Sequence, residues 1–134
     1  MAKYVGLENP GCICYHNSLL QQLFMTTAFR KAIITLNLSH EEGDVKLEML
    51  RSLKNLFFNL LYSEEIALNP VFFTKTIKSH DNKPLIKIFV QMDIDEFCSI
   101  LFDKIEHQLT FIPNQSNIVK NIFGGLYAHQ IISK

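Results

Sequence analysis

Residues 45–62 carry the pattern that most restricts how this chain can fold. Apolar side chains recur there at intervals of three and four residues, which places them on one face of an α-helix: Met49, Leu50, Leu53, Leu56, Phe57, Leu60 and Leu61. The same spacing recurs in residues 14–24, and again in a shorter segment through Phe29, Ile33 and Leu36. These patterns predict a mainly α-helical fold.

A further helix is predicted to begin after residue 93. The sequence DIDE at 93–96 has the form of a capping box, in which the first side chain accepts hydrogen bonds from backbone amides and the fourth reaches back. An apolar stripe follows as far as Leu109, and Pro113 closes the helical region. This is the helix whose start is best defined by the sequence.

Shorter segments complete the predicted organisation. Asn69 followed by Pro70 is typical of a helix start, so residues 71–77 are predicted to form a short helix. Polar residues 39–44 and 79–84 are predicted loops. After two glycines, apolar and polar residues alternate over 126–130, which predicts a short β segment starting near the C-terminus.

The composition excludes several classes of protein. The chain has 134 residues, enough for one domain, and its thirteen basic and thirteen acidic side chains cancel. A nucleic-acid partner or a membrane surface would favour a basic excess, and no apolar run approaches the roughly 18–20 residues of a membrane span. Three cysteines make no disulfide framework, so a reducing compartment, cytoplasmic or nuclear, is expected.

Cys14 follows a Pro-Gly turn and opens the first predicted helix. Backbone N–H groups at a helix start lack intrahelical acceptors, and together with the helix dipole they stabilise negative charge. A thiol placed there is exposed and favoured as the thiolate, and the same amides can stabilise an oxyanion on a substrate carbonyl. These are the properties of a nucleophilic cysteine, although the local pattern also fits a small residue with a structural role.

The residues beside Cys14 allow two other interpretations, and both are disfavoured. A metal site formed by Cys12, Cys14 and His16 has too short a spacing between its cysteines and no fourth ligand nearby, so no metal is expected. A general base at His16 is disfavoured because two residues along a helix turn a side chain by about 200°.

Two stretches of the chain resemble motifs of the ubiquitin-specific proteases. GLENPGCICYHNSLLQQLF, residues 6–24, resembles that family's cysteine box, G-L-x-N-x-G-N-T-C-Y-x-N-S-x-L-Q-x-L. QMDIDEFCSILFDKIE, residues 91–106, resembles Q-Q-D-A-x-E-F-x-x-x-L-x-D-x-L, and FGGLYAHQI, residues 123–131, is a weaker match to the segment that leads into the fingers. The order and separation of the two main motifs make a chance match a poor explanation.

The resemblance implies a papain-like cysteine protease that hydrolyses the bond after the C-terminal glycine of ubiquitin through an acyl-enzyme on Cys14. It places Cys12 where the family usually has an asparagine that donates to the oxyanion, and a thiol is a weak donor. Gln91, Asp93 and Glu96 are expected to bind the ubiquitin tail. Ubiquitin or ubiquitinated proteins are the implied partners, and no cofactor is implied.

The same resemblance implies that residues 1–134 form a single partial domain, the helical thumb of the catalytic domain. The fingers and palm would then pack against it, and the palm would supply the histidine base. None of the five histidines lies in the Gly-His-Tyr context typical of that base, so the chain alone is expected to be inactive. The alternative is a non-catalytic helical module, an inactive relative that binds ubiquitin or another protein.

Overall fold

The computed structural model describes residues 4–38, 45–128, 130 and 132. Its elements in chain order are β1 (Gly6–Leu7), α1 (Cys14–Met25), α2 (Thr27–Ile34), a 3₁₀ turn (Val45–Leu47) that leads into α3 (Glu48–Tyr62), β2 (Ala67–Leu68), α4 (Val71–Thr74), α5 (Ile94–Leu109) and α6 (Ile118–Phe123). The predicted mainly α-helical fold is confirmed. Among the described residues, no helix has both the length and the apolar character needed to span a membrane.

The core forms where the apolar stripes of the long helices meet. Helix α3 packs against α2, α4 and α5, while α1 packs against α2 and α5, and α6 covers the junction of α2 with α5. Phe29, Leu53, Phe57 and Phe97 are fully buried, and burying each such side chain stabilises the fold by about 1.5–3 kcal/mol. The apolar residues that recur at helical intervals in residues 45–62 therefore supply a large part of the core.

Polar contacts fix how α3 sits against its neighbours. The backbone N–H of Leu50, in the first turn of α3, donates to Gln108 Oε1 of α5 at 2.9 Å. This side chain satisfies an amide that the helix itself cannot pair, because no side chain caps α3. Lys78 and Glu48 form an ion pair at 2.9 Å, but both are partly exposed and the pair contributes little.

A two-residue parallel pairing of β1 with β2 was not predicted. Gly6 lies opposite Ala67 and Leu7 opposite Leu68, with Gly6 N donating to Ile66 O and Glu8 N to Leu68 O, each at 2.9 Å. The pairing ties the segment that precedes Cys14 to the connection between α3 and α4.

Two predicted elements need correction. The helix expected over 71–77 ends at Thr74, where the Thr76 hydroxyl donates to Phe73 O at 2.6 Å and the backbone leaves the helix. The β segment expected near the C-terminus does not form in residues 124–128, where Leu126 is fully exposed and no described segment offers strand partners for the backbone. Residues 129, 131, 133 and 134, like the loop predicted over 39–44, lie outside the described residues.

His16 is the one histidine of the described residues that lies in the core, between the rings of Phe73 and Phe97 at centroid distances of 5.9 and 5.1 Å. Because Asn17 Nδ2 donates to Glu8 O at 2.9 Å, its Oδ1 faces His16 Nδ1 at 3.1 Å and accepts the ring proton. A neutral ring then has Nε2 as its acceptor. The Thr74 hydroxyl lies 3.1 Å from Nε2 and 2.9 Å from Pro70 O.

Burial lowers the pKa of His16 to about 4, and the hydrogen bond to Asn17 opposes this shift only in part. Between pH 4 and the ordinary pKa of about 6.5, the unfolded chain binds a proton at this residue and the native chain does not. Native stability is therefore greatest above pH 6.5 and falls as the pH falls towards 4.

Because of His16, we expect the free energy of unfolding to be about 2 kcal/mol lower at pH 5 than at pH 7. Urea unfolding at both pH values measures this in the wild type and in His16→Gln, which cannot be protonated and should lose correspondingly less. The exposed His107 is the control, so His107→Gln should keep the wild-type pH dependence. Equal pH dependence in wild type and His16→Gln would contradict the assignment.

Candidate active site

Cys14 is the first residue of α1 and its thiol is exposed. The first backbone hydrogen bond of α1 runs from Asn17 N to Ile13 O at 3.0 Å, and no side chain caps the helix. The N–H groups of Cys14, Tyr15 and His16 consequently have no acceptor within the helix. The predicted setting of Cys14, an uncapped helix start after a turn, is confirmed.

The loop before Cys14 is held by the side chain of Asn9. Its Oδ1 accepts from Gly11 N at 3.2 Å and from Ile13 N at 3.3 Å, so one amide oxygen closes the turn from both ends. The bond from Asn17 to Glu8 O ties α1 to the start of the same loop. The loop is therefore ordered by its own polar side chains before any substrate arrives.

Gly11 allows this loop to touch a distant segment. A Cβ built on Gly11 would lie 2.5 Å from Ile88 O and 2.9 Å from Phe89 Cδ1, both far below ordinary contact distances. With no side chain in the way, Cys12 N donates to Ile88 O at 2.7 Å. The cysteine loop and residues 88–89 are thus in direct backbone contact.

Gln91 reaches the thiol from this second segment. Its Nε2 donates to Cys14 Sγ at 3.4 Å, across 77 residues of sequence. A hydrogen bond from a neutral amide stabilises a sulfur that carries negative charge. The structure therefore places the first residue of the second sequence motif on the cysteine of the first motif.

An open groove of about 570 Å³ surrounds this contact, lined by Cys14, Tyr15, Ser18, Gln91, Met92, Asp93 and Ile94. Tyr15 is buried, and its hydroxyl has no hydrogen-bond partner within the described part of the chain. Burial, and then the neighbouring charge of a Cys14 thiolate, raise the pKa of Tyr15, so the hydroxyl keeps its proton. Because this oxygen is itself buried, the neutral phenol offers the groove no accessible donor or acceptor.

Asp93 lies in this groove and also caps α5. Its Oδ1 accepts from Asp95 N at 2.8 Å and from Glu96 N at 3.3 Å, which confirms the part of the predicted capping box that Asp93 supplies. The return bond from Glu96 to the Asp93 backbone is not formed among the described residues. Both bonds use the same oxygen, so the other carboxylate oxygen is left for a ligand. Glu96 is exposed on the first turn of α5 but is not among the residues that line the groove.

The remaining candidates do not line this groove. Cys12 is exposed and its backbone N–H is already bonded to Ile88 O. Among the histidines of the described residues, His16 is buried with both ring nitrogens occupied, while His80 and His107 are exposed outside the groove. No described histidine is therefore placed to act as the general base. Nor do the described residues bring together three or more His, Cys, Asp or Glu side chains that could hold a metal ion.

A second groove of about 540 Å³ runs along α3 between Glu48 and Phe58 and is bordered by Thr76. It contains no thiol or histidine, and its walls come from one helix and a loop. Of these two grooves, the one at Cys14 combines a thiol, amide donors and a carboxylate.

The sequence analysis did not assign roles to Asn9 and Gly11. Both match positions of the motif that residues 6–24 resemble, but only the structure shows that Asn9 folds the loop and that Gly11 admits Ile88. Asn9 Oδ1 is used within the loop, which leaves Nδ2 as a side-chain amide donor on its outer side. The conserved form of a motif could have suggested such roles, but not which atoms carry them.

Comparisons with known proteins agree with these features. The profile of the family described as ubiquitin carboxyl-terminal hydrolase matches residues 5–134. Ubiquitin carboxyl-terminal hydrolase 34 of Homo sapiens is 37% identical over 131 residues, 98% of this chain and 4% of that protein. Ubiquitin carboxyl-terminal hydrolase 47 of Drosophila melanogaster is 33% identical over 122 residues, 91% of this chain and 7% of that protein.

Ubiquitin carboxyl-terminal hydrolase 5 of Schizosaccharomyces pombe is 34% identical over 122 residues, 91% of this chain and 10% of that protein. The chain therefore spans between 4% and 10% of the length of these three relatives.

Substitution of Gly11 tests the contact that assembles this site. We expect Gly11→Ala to lower the free energy of unfolding by about 1–3 kcal/mol, because the new Cβ forces the loop away from Ile88 O. Urea unfolding measures this loss. Gly125→Ala is the matched control, since a Cβ there meets nothing within 4 Å and should change stability by less than about 0.5 kcal/mol. Equal stabilities of the two variants would show that the Gly11 contact is not needed.

Proposed function

The chain belongs to the ubiquitin carboxyl-terminal hydrolase family, and we propose that it is the nucleophile-bearing part of a cysteine-type deubiquitinase. The observation that carries the proposal is the 3.4 Å contact from Gln91 Nε2 to Cys14 Sγ, which joins two motif segments at one exposed thiol. Ubiquitin and ubiquitinated proteins are the proposed substrates. The three cysteines are free thiols, which fits a reducing compartment such as the cytoplasm or the nucleus.

In the proposed mechanism, the Cys14 thiolate attacks the carbonyl carbon of ubiquitin's terminal glycine. The carbonyl oxygen gains negative charge and is stabilised by N–H groups at the start of α1. The bond to the lysine amine of the substrate breaks as its nitrogen takes a proton from the acid–base residue that other segments would supply, and water then hydrolyses the thioester to free ubiquitin and the thiol. This chain's part is to hold the sulfur, supply the donors and position the ubiquitin tail.

The oxyanion needs a side-chain donor that Cys12 does not supply well. Its thiol is a weak donor, and its backbone N–H is committed to Ile88 O. Gln91 Nε2 already lies beside the sulfur, and Asn9 Nδ2 is held at the turn. We propose that these two amides provide the donation that the thiol of Cys12 lacks.

Asp93 and Glu96 are the proposed contacts for the basic part of the ubiquitin tail. Asp93 is supported by its position in the groove and by its free carboxylate oxygen. Glu96 is exposed, two residues after Ile94 at the end of the groove lining, and would contact the tail only further from the thiol. A carboxylate that pairs with an arginine forms a charge-assisted bond, about twice as strong as a neutral one.

Residues 1–134 are proposed to be a partial domain, completed by segments that supply the base. Phe89 and Val90 are 78% and 55% exposed beside the groove, and Ile94 within it is 45% exposed. Such neighbouring apolar side chains favour burial against another part of the protein. Without a base in the groove, we expect this chain to show negligible turnover of a fluorogenic ubiquitin substrate.

A second candidate function is a ubiquitin-binding module without catalysis. The bonded amide of Cys12 favours it, because one of the donors nearest the thiol is not available. A complete protein that binds ubiquitin and is labelled at Cys14, but hydrolyses no ubiquitin conjugate, would support this alternative.

Labelling with a ubiquitin probe that carries a C-terminal thiol-reactive group tests the nucleophile. We expect one adduct by intact mass on the wild type and none on Cys14→Ala, because the exposed Cys14 lies in the groove with Gln91. Cys98→Ala is the control and should be labelled like the wild type. An adduct that persists in Cys14→Ala would reject Cys14 as the nucleophile.

Two substitutions of Asp93 separate its roles. Asparagine caps a helix as well as aspartate does, so Asp93→Asn should keep the stability but slow probe labelling roughly 5- to 10-fold through the lost charge. Asp93→Ala should show the same slowing and also lose about 0.5–2 kcal/mol of unfolding free energy. If Asp93→Asn is labelled as fast as the wild type, the carboxylate does not contact the tail.

A further inference from the structure

We propose that Cys12 and Cys14 form a reversible disulfide when a hydroperoxide oxidises the thiol of Cys14. The proposal extends the proposed function, because it assigns a regulatory modification to the same nucleophile. It rests on three observations about residues 12–14: which way their side chains face, how the backbone between the thiols is folded, and what surrounds each sulfur.

Both thiols are exposed, one on each side of a buried residue. Cys12 and Cys14 are exposed, whereas Ile13 between them is fully buried in the core. This alternation places the first and third side chains towards solvent and anchors the middle one. Cys12 is not part of the helix, so the divergence of side chains two residues apart in a helix does not apply to this pair.

The backbone brings the two α-carbons within reach of a disulfide. Ile13 has φ −106° and ψ 29°, a compact turn conformation and not an extended one. Helical geometry places α-carbons two residues apart at about 5.5 Å, against about 6.6 Å in a strand. Disulfides span roughly 4.4–6.8 Å between α-carbons. The compact turn at Ile13 is therefore compatible with the α-carbon separation that a disulfide needs.

The surroundings decide which sulfur reacts first. Cys14 Sγ accepts a hydrogen bond from Gln91 and lies at an uncapped helix start, both of which stabilise a thiolate. Cys98 is half-buried, and burial followed by the charge of Asp95 raises the pKa of its thiol. Cys14 is therefore the thiol that a peroxide attacks, and Cys98 takes no part.

The chemistry balances with a hydroperoxide as the oxidant. The Cys14 thiolate attacks the terminal peroxide oxygen, the O–O bond breaks, and the released alkoxide takes a proton to leave as an alcohol, or as water from hydrogen peroxide. The Cys12 sulfur then attacks the sulfenic sulfur of Cys14, the S–O bond breaks, and a second water leaves with the thiol proton. Two thiols lose two electrons in total, and the peroxide gains them.

The bridge would act as a protecting group. Sulfur held in a disulfide cannot attack ubiquitin, and it cannot be oxidised further to sulfinic acid, which cellular thiols do not reverse. A ring closed across one residue is strained, and strained, exposed disulfides are readily reduced. Exchange with an added dithiol should therefore restore both cysteines.

The experiment treats the 134-residue chain with hydrogen peroxide, alkylates the remaining thiols, and maps the cysteines by mass spectrometry of the intact protein and its peptides. In the wild type we expect the loss of two hydrogens, assigned to a Cys12–Cys14 bridge, and recovery of free thiols with dithiothreitol. Cys12→Ser should instead accumulate oxygen on Cys14 and keep most of it after reduction. Cys98→Ser should behave like the wild type.

The proposal is overturned if Cys14 gains sulfinic acid equally fast in the wild type and in Cys12→Ser, or if the bridge joins Cys98. Circular dichroism of each variant shows that the helices are intact. The readout involves no ubiquitin, so its failure leaves the proposed deubiquitinase function standing. Conversely, a complete protein that forms the bridge but never reacts with the ubiquitin probe would reject that function and keep the redox pair.

Discussion

The 2.7 Å hydrogen bond from Cys12 N to Ile88 O is the contact on which the rest of the site depends. It forms because residue 11 has no side chain, since a Cβ there would lie 2.5 Å from the same carbonyl oxygen. Once the two backbones touch, the chain needs only a few further residues to bring Gln91 to the sulfur and Asp93 to the groove. A contact between backbone atoms thereby sets the position of side chains that are 77 residues apart.

The direction of the nucleophile is fixed from the opposite side of α1. His16, Leu20 and Leu23 are buried against the neighbouring helices, so α1 cannot rotate about its axis without exposing them. His16 adds polar bonds to this apolar constraint, because Asn17 and Thr74 hold its two ring nitrogens. Cys14 faces solvent as a consequence of what the helix buries two residues later.

The long helices could be predicted because their apolar spacing is local, and the Asp93 cap because its donors are two and three residues away. The contact of Gln91 with Cys14 could not be predicted from local patterns, since nothing local brings residues 14 and 91 together. The only hint in the sequence was that both segments resemble motifs of one family. The burial of His16 was missed because a histidine is read as polar until its partners are known. The segment over 124–128 has the alternation of a strand, but a strand also needs a neighbour, which alternation does not supply.

The absence of a base in the described groove separates two kinds of reaction at the same sulfur. Cleavage of an amide requires a proton for the leaving nitrogen, so a thiolate with donors alone can form the first bond but not complete the step. Attack on a peroxide is different, because the leaving oxygen is a far better leaving group and can take its proton from water. The described site therefore already has what oxidation of Cys14 requires, whereas hydrolysis requires a proton donor that must join it from elsewhere. For that reason the proposed redox pair can be tested on these residues alone, whereas the proposed hydrolase activity can be tested only once a base has joined the site.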